Sequence, residues 1–138
     1  METIKEIQEE IIEEFEMFDD WMQKYEYLID LGKDLAVIDE KHKVDDNLIK
    51  GCQSRVWLHA EEKNGKIIYT ADSDAIMTKG IIAILARVLS NQAPSEIADA
   101  NLKFINEIGL KEQLSPTRAN GLLLMIKQIK LFAIAFNK

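Results

Sequence analysis

The sequence predicts an α+β domain, a small antiparallel sheet of about three strands packed with helices. Three observations predict it. From Ile4 to Tyr25, and again from Leu122 onward, apolar residues recur every three or four positions, the period of an amphipathic helix. Val56, Leu58 and Ala60 alternate with Trp57, His59 and Glu61, the two-residue period of a strand with distinct faces. Asn64-Gly65 follows, the dipeptide that most strongly marks a tight hairpin.

The elements follow in order. Thr3-Ile4-Lys5-Glu6 has the form of a capping box, in which Thr3 and Glu6 satisfy each other's orphan backbone donors. The stripe behind it runs Ile4, Ile7, Ile11, Phe15, Phe18, Met22 and Tyr25. Asp19-Asp20 divides it into two helices, because aspartate favours caps over helix interiors. Gly32 reads as the C-terminal stop of the second. Lys33 to Asp46 is polar and irregular or briefly helical. Asp46 to Lys50 supplies a third strand beside the Val56–Glu61 strand and the returning Ile67-Ile68-Tyr69-Thr70. Asp72-Ser73-Asp74 offers N-caps for a helix over Ala75 to Ser90, apolar on nearly every side and therefore central. Pro94 opens a short helix carrying Ile97. Leu102 to Leu110 forms another, ending near Gly109. Ser115-Pro116 opens the last helix with serine at N-cap and proline at the first helical position. Its stripe is Leu122, Met125, Ile126, Ile129, Ala133 and Phe136. Asn120-Gly121 weakens its first turns.

Composition narrows the function. The 138 residues suit a single domain spanning 1–138, and 47% hydrophobic residues are enough for a core. A net charge of −7 disfavours nucleic acid and anionic membrane as partners. Charges interrupt every long apolar run, so no membrane span is expected. The acidic N-terminus lacks the basic start and apolar stretch of a signal peptide. With one cysteine and no export signal, a reducing cytoplasm is the expected compartment.

That cysteine, Cys52, carries the chemical interest. Alone it forms neither an intramolecular disulfide nor a cysteine-rich metal cage; it either reacts as a thiolate or sits inert in a core. Its surroundings, Lys50-Gly51-Cys52-Gln53-Ser54-Arg55-Val56, form a polar loop leading into the strand. Gly51 permits backbone conformations or close approaches that a Cβ forbids. Arg55 and Arg118 are the cations available to stabilise a thiolate, while Asp72 and Asp74 would oppose one placed beside them. His59 makes a Cys–His hydrolase an alternative, although a seven-residue spacing does not set that contact. The acidic residues show no metal-ligand pattern, and Glu9-Glu10 with Glu13-Glu14 reads as a solvated helix face. No glycine-rich phosphate loop is present.

Three blocks in order resemble the SufE-type sulfur-acceptor family. They are Gly51-Cys52-Gln53-Ser54-Arg55-Val56-Trp57, then Ala71-Asp72-Ser73-Asp74-Ala75 with Lys79-Gly80, then Leu114-Ser115-Pro116-Thr117-Arg118-Ala119-Asn120-Gly121-Leu122. The resemblance covers nearly the whole chain. It implies a fold shared with IscU-type scaffolds and a cysteine at a loop tip. It also implies acceptance of sulfane sulfur from a SufS-type, PLP-dependent cysteine desulfurase, stimulation of that enzyme, and delivery to a SufB-type iron–sulfur scaffold. Cys52 would be the persulfide acceptor, with Arg118, Gln53, Ser54, Arg55 and Asp74 supporting the loop or meeting the partner. The chain would carry sulfur as a monomer or homodimer without being a stand-alone enzyme. It would need no cofactor or metal of its own, PLP belonging to the desulfurase. One cysteine cannot hold a cluster on one protomer, which separates this chain from the scaffolds. An allosteric module that stimulates the desulfurase without sulfur transfer remains the alternative within the same partnership.

Overall fold

The computed structural model describes residues 2–136; Met1, Asn137 and Lys138, which the predicted domain includes, lie outside the described residues. The architecture is the expected α+β, with seven α-helices, two 3-10 turns and one two-stranded antiparallel sheet among the described residues. α1 (Ile4–Glu16) starts at the capping box, and both of its reciprocal bonds form. α2 (Trp21–Lys33) is capped by the Asp20 side chain on the Gln23 amide, at the predicted break. The break turns Met22 into solvent, 68% exposed, because the second helix restarts the stripe in a new phase.

β1 (Val56–Lys63) and β2 (Lys66–Ser73) pair from Val56↔Ser73 to Lys63↔Lys66. Asn64 and Gly65 both take positive φ, 54° and 81°, as a right-twisted two-residue hairpin requires. The third strand is not formed. Asp45–Asn47 is a 3-10 turn, and only the isolated bridge Leu48↔Trp57 joins this segment to β1. Three consecutive acidic or amide residues there favour a turn over a ladder. On the other edge, two isolated bridges, Val37↔Ala71 and Ile67↔Gln92, join β2 to irregular backbone. Irregular backbone thus covers both edges of a hairpin too small to stand alone.

α3 (Ile76–Leu89) is the central helix, buried from Gly80 through Ala86 and packed on α1, α2, β2 and α7. Ile76, expected inside, is 70% exposed at its start. α2 crosses α3 so closely that a Cβ on Gly32 would lie 3.1 Å from the Gly80 nitrogen. Gly32 is therefore a contact residue, not the predicted stop; α2 continues to Lys33. Arg87 donates to both carboxylate oxygens of Glu14, at 2.7 and 2.6 Å, and lies 3.5 Å from Glu10. Half of the supposed solvated face of α1 is thus tied to α3. The guanidinium holds the Glu14 carboxyl below its usual range.

α4 (Pro94–Asp99) carries buried Ile97. The predicted Leu102–Leu110 helix is two short ones, α5 (Phe104–Glu107) and α6 (Leu110–Gln113), because Gly109 between them takes φ +72°. Buried Gln8 of α1 bonds the Asn101 carbonyl and the Phe104 amide, which fixes this corner. α7 (Pro116–Phe136) begins as expected, with the Ser115 hydroxyl accepting from the Arg118 amide. Contrary to the expectation of no span, α7 is long and apolar enough to cross a membrane by length and composition. Its Leu122, Met125, Ile129 and Ala133 stripe is buried against the rest of the fold, and Tyr69 of β2 donates to its Ile129 carbonyl at 2.7 Å. Phe136, expected in that stripe, is exposed, as are Leu123, Leu131 and Ile134.

Candidate functional site

The loop after Ile49 delivers Cys52 to the start of α7. Gly51 is necessary to it: φ is +93°, and a Cβ there would meet Leu124 Cδ1 at 2.9 Å. The loop's far end is pinned by the segment that leads from β2 into α3. Asp74 accepts from the Arg55 amide at 3.0 Å, and the Ser73 hydroxyl donates to the Arg55 carbonyl at 2.8 Å. Asp74 does not cap α3 as predicted; Ala75 is the N-cap, without a side-chain bond. The aspartate is used between segments instead of along the helix.

A cleft of about 240 Å³ opens between this loop and the first turns of α3 and α7. Cys52, Gln53 and Ser54 line one side, Thr78 and Ile81 the second, and Ser115, Thr117, Arg118, Gly121 and Met125 the third. Cys52 is half-buried, and its thiol lies 3.9 Å from the Gly121 carbonyl, toward which it donates. Burial pushes the Cys52 thiol up. The resting state is therefore a protected thiol.

Asp72 does not face the sulfur with an unmatched charge: Lys43 and Lys79 reach it at 2.8 and 3.4 Å. Burial would raise the Asp72 carboxyl, but these lysines and the Ser73 amide hold it low. Arg55 is exposed, and its backbone, not its guanidinium, fixes the loop. Arg118 is exposed at the cleft wall. Among the described residues neither guanidinium enters an ion pair.

The structure thus brings Cys52, Gln53, Ser54 and Arg118 to one cleft and places Arg55 and Asp74 at the pinned far end of the loop. It does not pair Cys52 with His59, whose ring stacks on His42 and bonds Glu61. In the sequence Gly121 is a weak spot in a helix and a member of the third resembling block, and neither gives its place beside the sulfur. Its role is spatial, since a Cβ there would stand 3.7 Å from the sulfur. Thr78 and Met125 left no signal, because each sits on an ordinary helical stripe. A larger hollow of about 380 Å³ lies between α2, α3 and β2, but its Arg87 is committed to Glu10 and Glu14.

Comparison with known proteins shows the family and the fold. Residues 9–133 match the family model SufE, the Fe-S metabolism associated domain. An uncharacterized SufE-like protein of Synechocystis is 38% identical over 126 residues, 91% of this chain and 79% of its own. A second, from Rhizobium meliloti, is 38% identical over 127 residues, covering 88% of this chain and 91% of its own. SufE-like protein 1, chloroplastic/mitochondrial, of Arabidopsis thaliana is 40% identical over 122 residues, 86% of this chain but only 32% of that longer protein. The solution structure of a hypothetical protein from Thermus thermophilus superposes with a TM-score of 0.77 over 94% of both chains at 18% identity, a likeness of fold.

Proposed function

The chain belongs to the SufE family of Fe-S metabolism associated proteins, and on that premise we propose that Cys52 accepts sulfane sulfur from the persulfide of a PLP-dependent cysteine desulfurase. The observation that carries the reading is a lone, half-buried thiol in a cleft of about 240 Å³ with an exposed arginine on its wall. The transfer is balanced without an external oxidant. The Cys52 thiolate attacks the outer sulfur of the partner's persulfide, a new S–S bond forms, the old one breaks, and the partner's inner sulfur leaves as thiolate. The sulfur then passes on by the same exchange to an iron–sulfur scaffold.

The resting geometry opposes premature reaction. A thiolate facing the Gly121 carbonyl would lose its donor bond and meet the oxygen's lone pairs. Docking must therefore draw the sulfur from the carbonyl toward a cation. Gly51 at φ +93° starts that loop, and the Arg55–Asp74 pairing holds its other end. Arg118, an exposed cation on the cleft wall, is our choice for the group that meets the thiolate or the loaded persulfide.

The test is to mix the protein with desulfurase, PLP and cysteine and weigh it. One added sulfur atom mapped to Cys52 is expected. No addition, under conditions that load a known acceptor, rejects the reading. Arg118→Ala should slow loading roughly ten- to a hundredfold, since a hydrogen bond to a charged group contributes about 1.5–3 kcal/mol. Its fold should persist, because the Arg118 backbone, not its side chain, makes the bond to Ser115. Unchanged loading kinetics in Arg118→Ala would remove the arginine from the mechanism.

A further inference from the structure

The outer face of the sheet carries a second cluster, none of whose members lines the Cys52 cleft. His59 and Glu61 stand two residues apart on β1, hence on the same face, with Nε2 and Oε1 3.1 Å apart. The 3-10 turn Glu40–His42 lays His42 over them, its ring 3.7 Å from that of His59 and 9° from parallel. One ligand atom from each of the three residues lies within 4.8 Å of the others. They share a hollow of about 320 Å³ with Asp39, Lys41 and Lys63.

We propose that His42, His59 and Glu61 bind a divalent transition-metal ion of zinc's class. Two imidazoles and one carboxylate suit zinc, copper(II) or nickel(II), whereas magnesium and calcium prefer all-oxygen sets. Ligand atoms on a tetrahedral zinc stand ~3.3 Å apart, given bonds of about 2.0–2.2 Å. The His59–Glu61 pair is already close to that separation. The stacked rings must fan so that one imidazole turns inward, and the hollow leaves room for the turn. Water or Asp39, on the same wall, completes four-coordination. The nearby Lys41 and Lys63 ammonium groups oppose a cation, so micromolar rather than nanomolar affinity is expected. Bound metal would clasp the 39–42 segment to β1 from outside.

The chain contains only two histidines, which makes the test clean. Tag-free Cys52→Ser protein, in which the thiol cannot compete, is titrated with zinc by calorimetry and by imidazole ¹⁵N NMR. One zinc per chain is expected, with both imidazole resonances shifting together. His42→Gln and His59→Gln should each weaken binding at least tenfold. Absence of saturable binding, movement of only one ring, or unchanged affinity in both histidine variants overturns the site. The NMR readout uses the intact cluster, so it decides even if a histidine variant folds poorly.

Discussion

Cys52→Ser protein should accept no sulfur, and a desulfurase mixed with it should turn over no faster than the enzyme alone. The substitution is small. Serine is nearly isosteric with cysteine, the long contact of the thiol with the Gly121 carbonyl is weak, and the site is only half-buried. Stability should therefore change by about 1 kcal/mol or less. What disappears is the nucleophile: a hydroxyl is not appreciably ionised near neutral pH and cannot replace a thiolate in sulfur exchange. The result separates two readings that share every other property. A protein that only docks and reshapes the desulfurase keeps its stimulation without the thiol; a carrier loses it. Full stimulation by a well-folded Cys52→Ser protein would discard the carrier reading and leave the allosteric one. Paired with binding measured by calorimetry, the variant also shows whether the sulfur contributes to docking. Undiminished affinity with no loading is the expected combination.

Much of this architecture is visible in the chain because local periodicity reports which face is buried. The Thr3–Glu6 box, the Asp20 cap, the Asn64-Gly65 turn and the Ser115-Pro116 start all involve residues within four positions of each other. Propensity and spacing are therefore sufficient for them. The misreadings share the opposite property. Gly32 looked like a helix stop because its reason for being glycine, Gly80, is on another helix. Asp74 looked like a cap because its true partner, the Arg55 amide, is 19 residues away. The carbonyl facing Cys52 is 69 residues distant. His42 and His59 are brought together by a turn packing on a sheet, which no fixed spacing announces. The cysteine loop itself was legible, since an isolated thiol flanked by glycine and polar residues is unusual chemistry wherever it folds. The cleft around it was not, being assembled from three segments.

Gly80→Ala should destabilise the protein by about 3 kcal/mol, opposite in sign to the usual effect of filling a helical glycine. In an open helix the change to alanine gains about 1 kcal/mol. Here the new methyl would lie 2.5 Å from the Leu28 carbonyl oxygen and 3.0 Å from its carbon. These are backbone atoms of α2, with no rotamer to escape into. The two helices must separate, and overpacking of this kind costs about 1–3 kcal/mol. The upper end applies because Gly32 closes the same crossing from the other side. For a domain of this size, about 3 kcal/mol corresponds to a Tm lowered by roughly 10 °C. Gly121→Ala is the matched control. Its methyl meets only the Cys52 sulfur, at 3.7 Å, so the helix-propensity gain should survive and Tm should hold or rise. The two variants should also divide in function for different reasons. Gly121→Ala narrows the space at the sulfur while leaving the scaffold intact. Gly80→Ala shifts α3, which carries Thr78 and Ile81 into the wall of the cleft. Loading should therefore fall in both, with thermal stability lost in only one. A Gly80→Ala protein melting within about 2 °C of the parent would mean that α2 and α3 do not meet backbone to backbone, and that the α3 wall of the cleft is held by something other than this crossing.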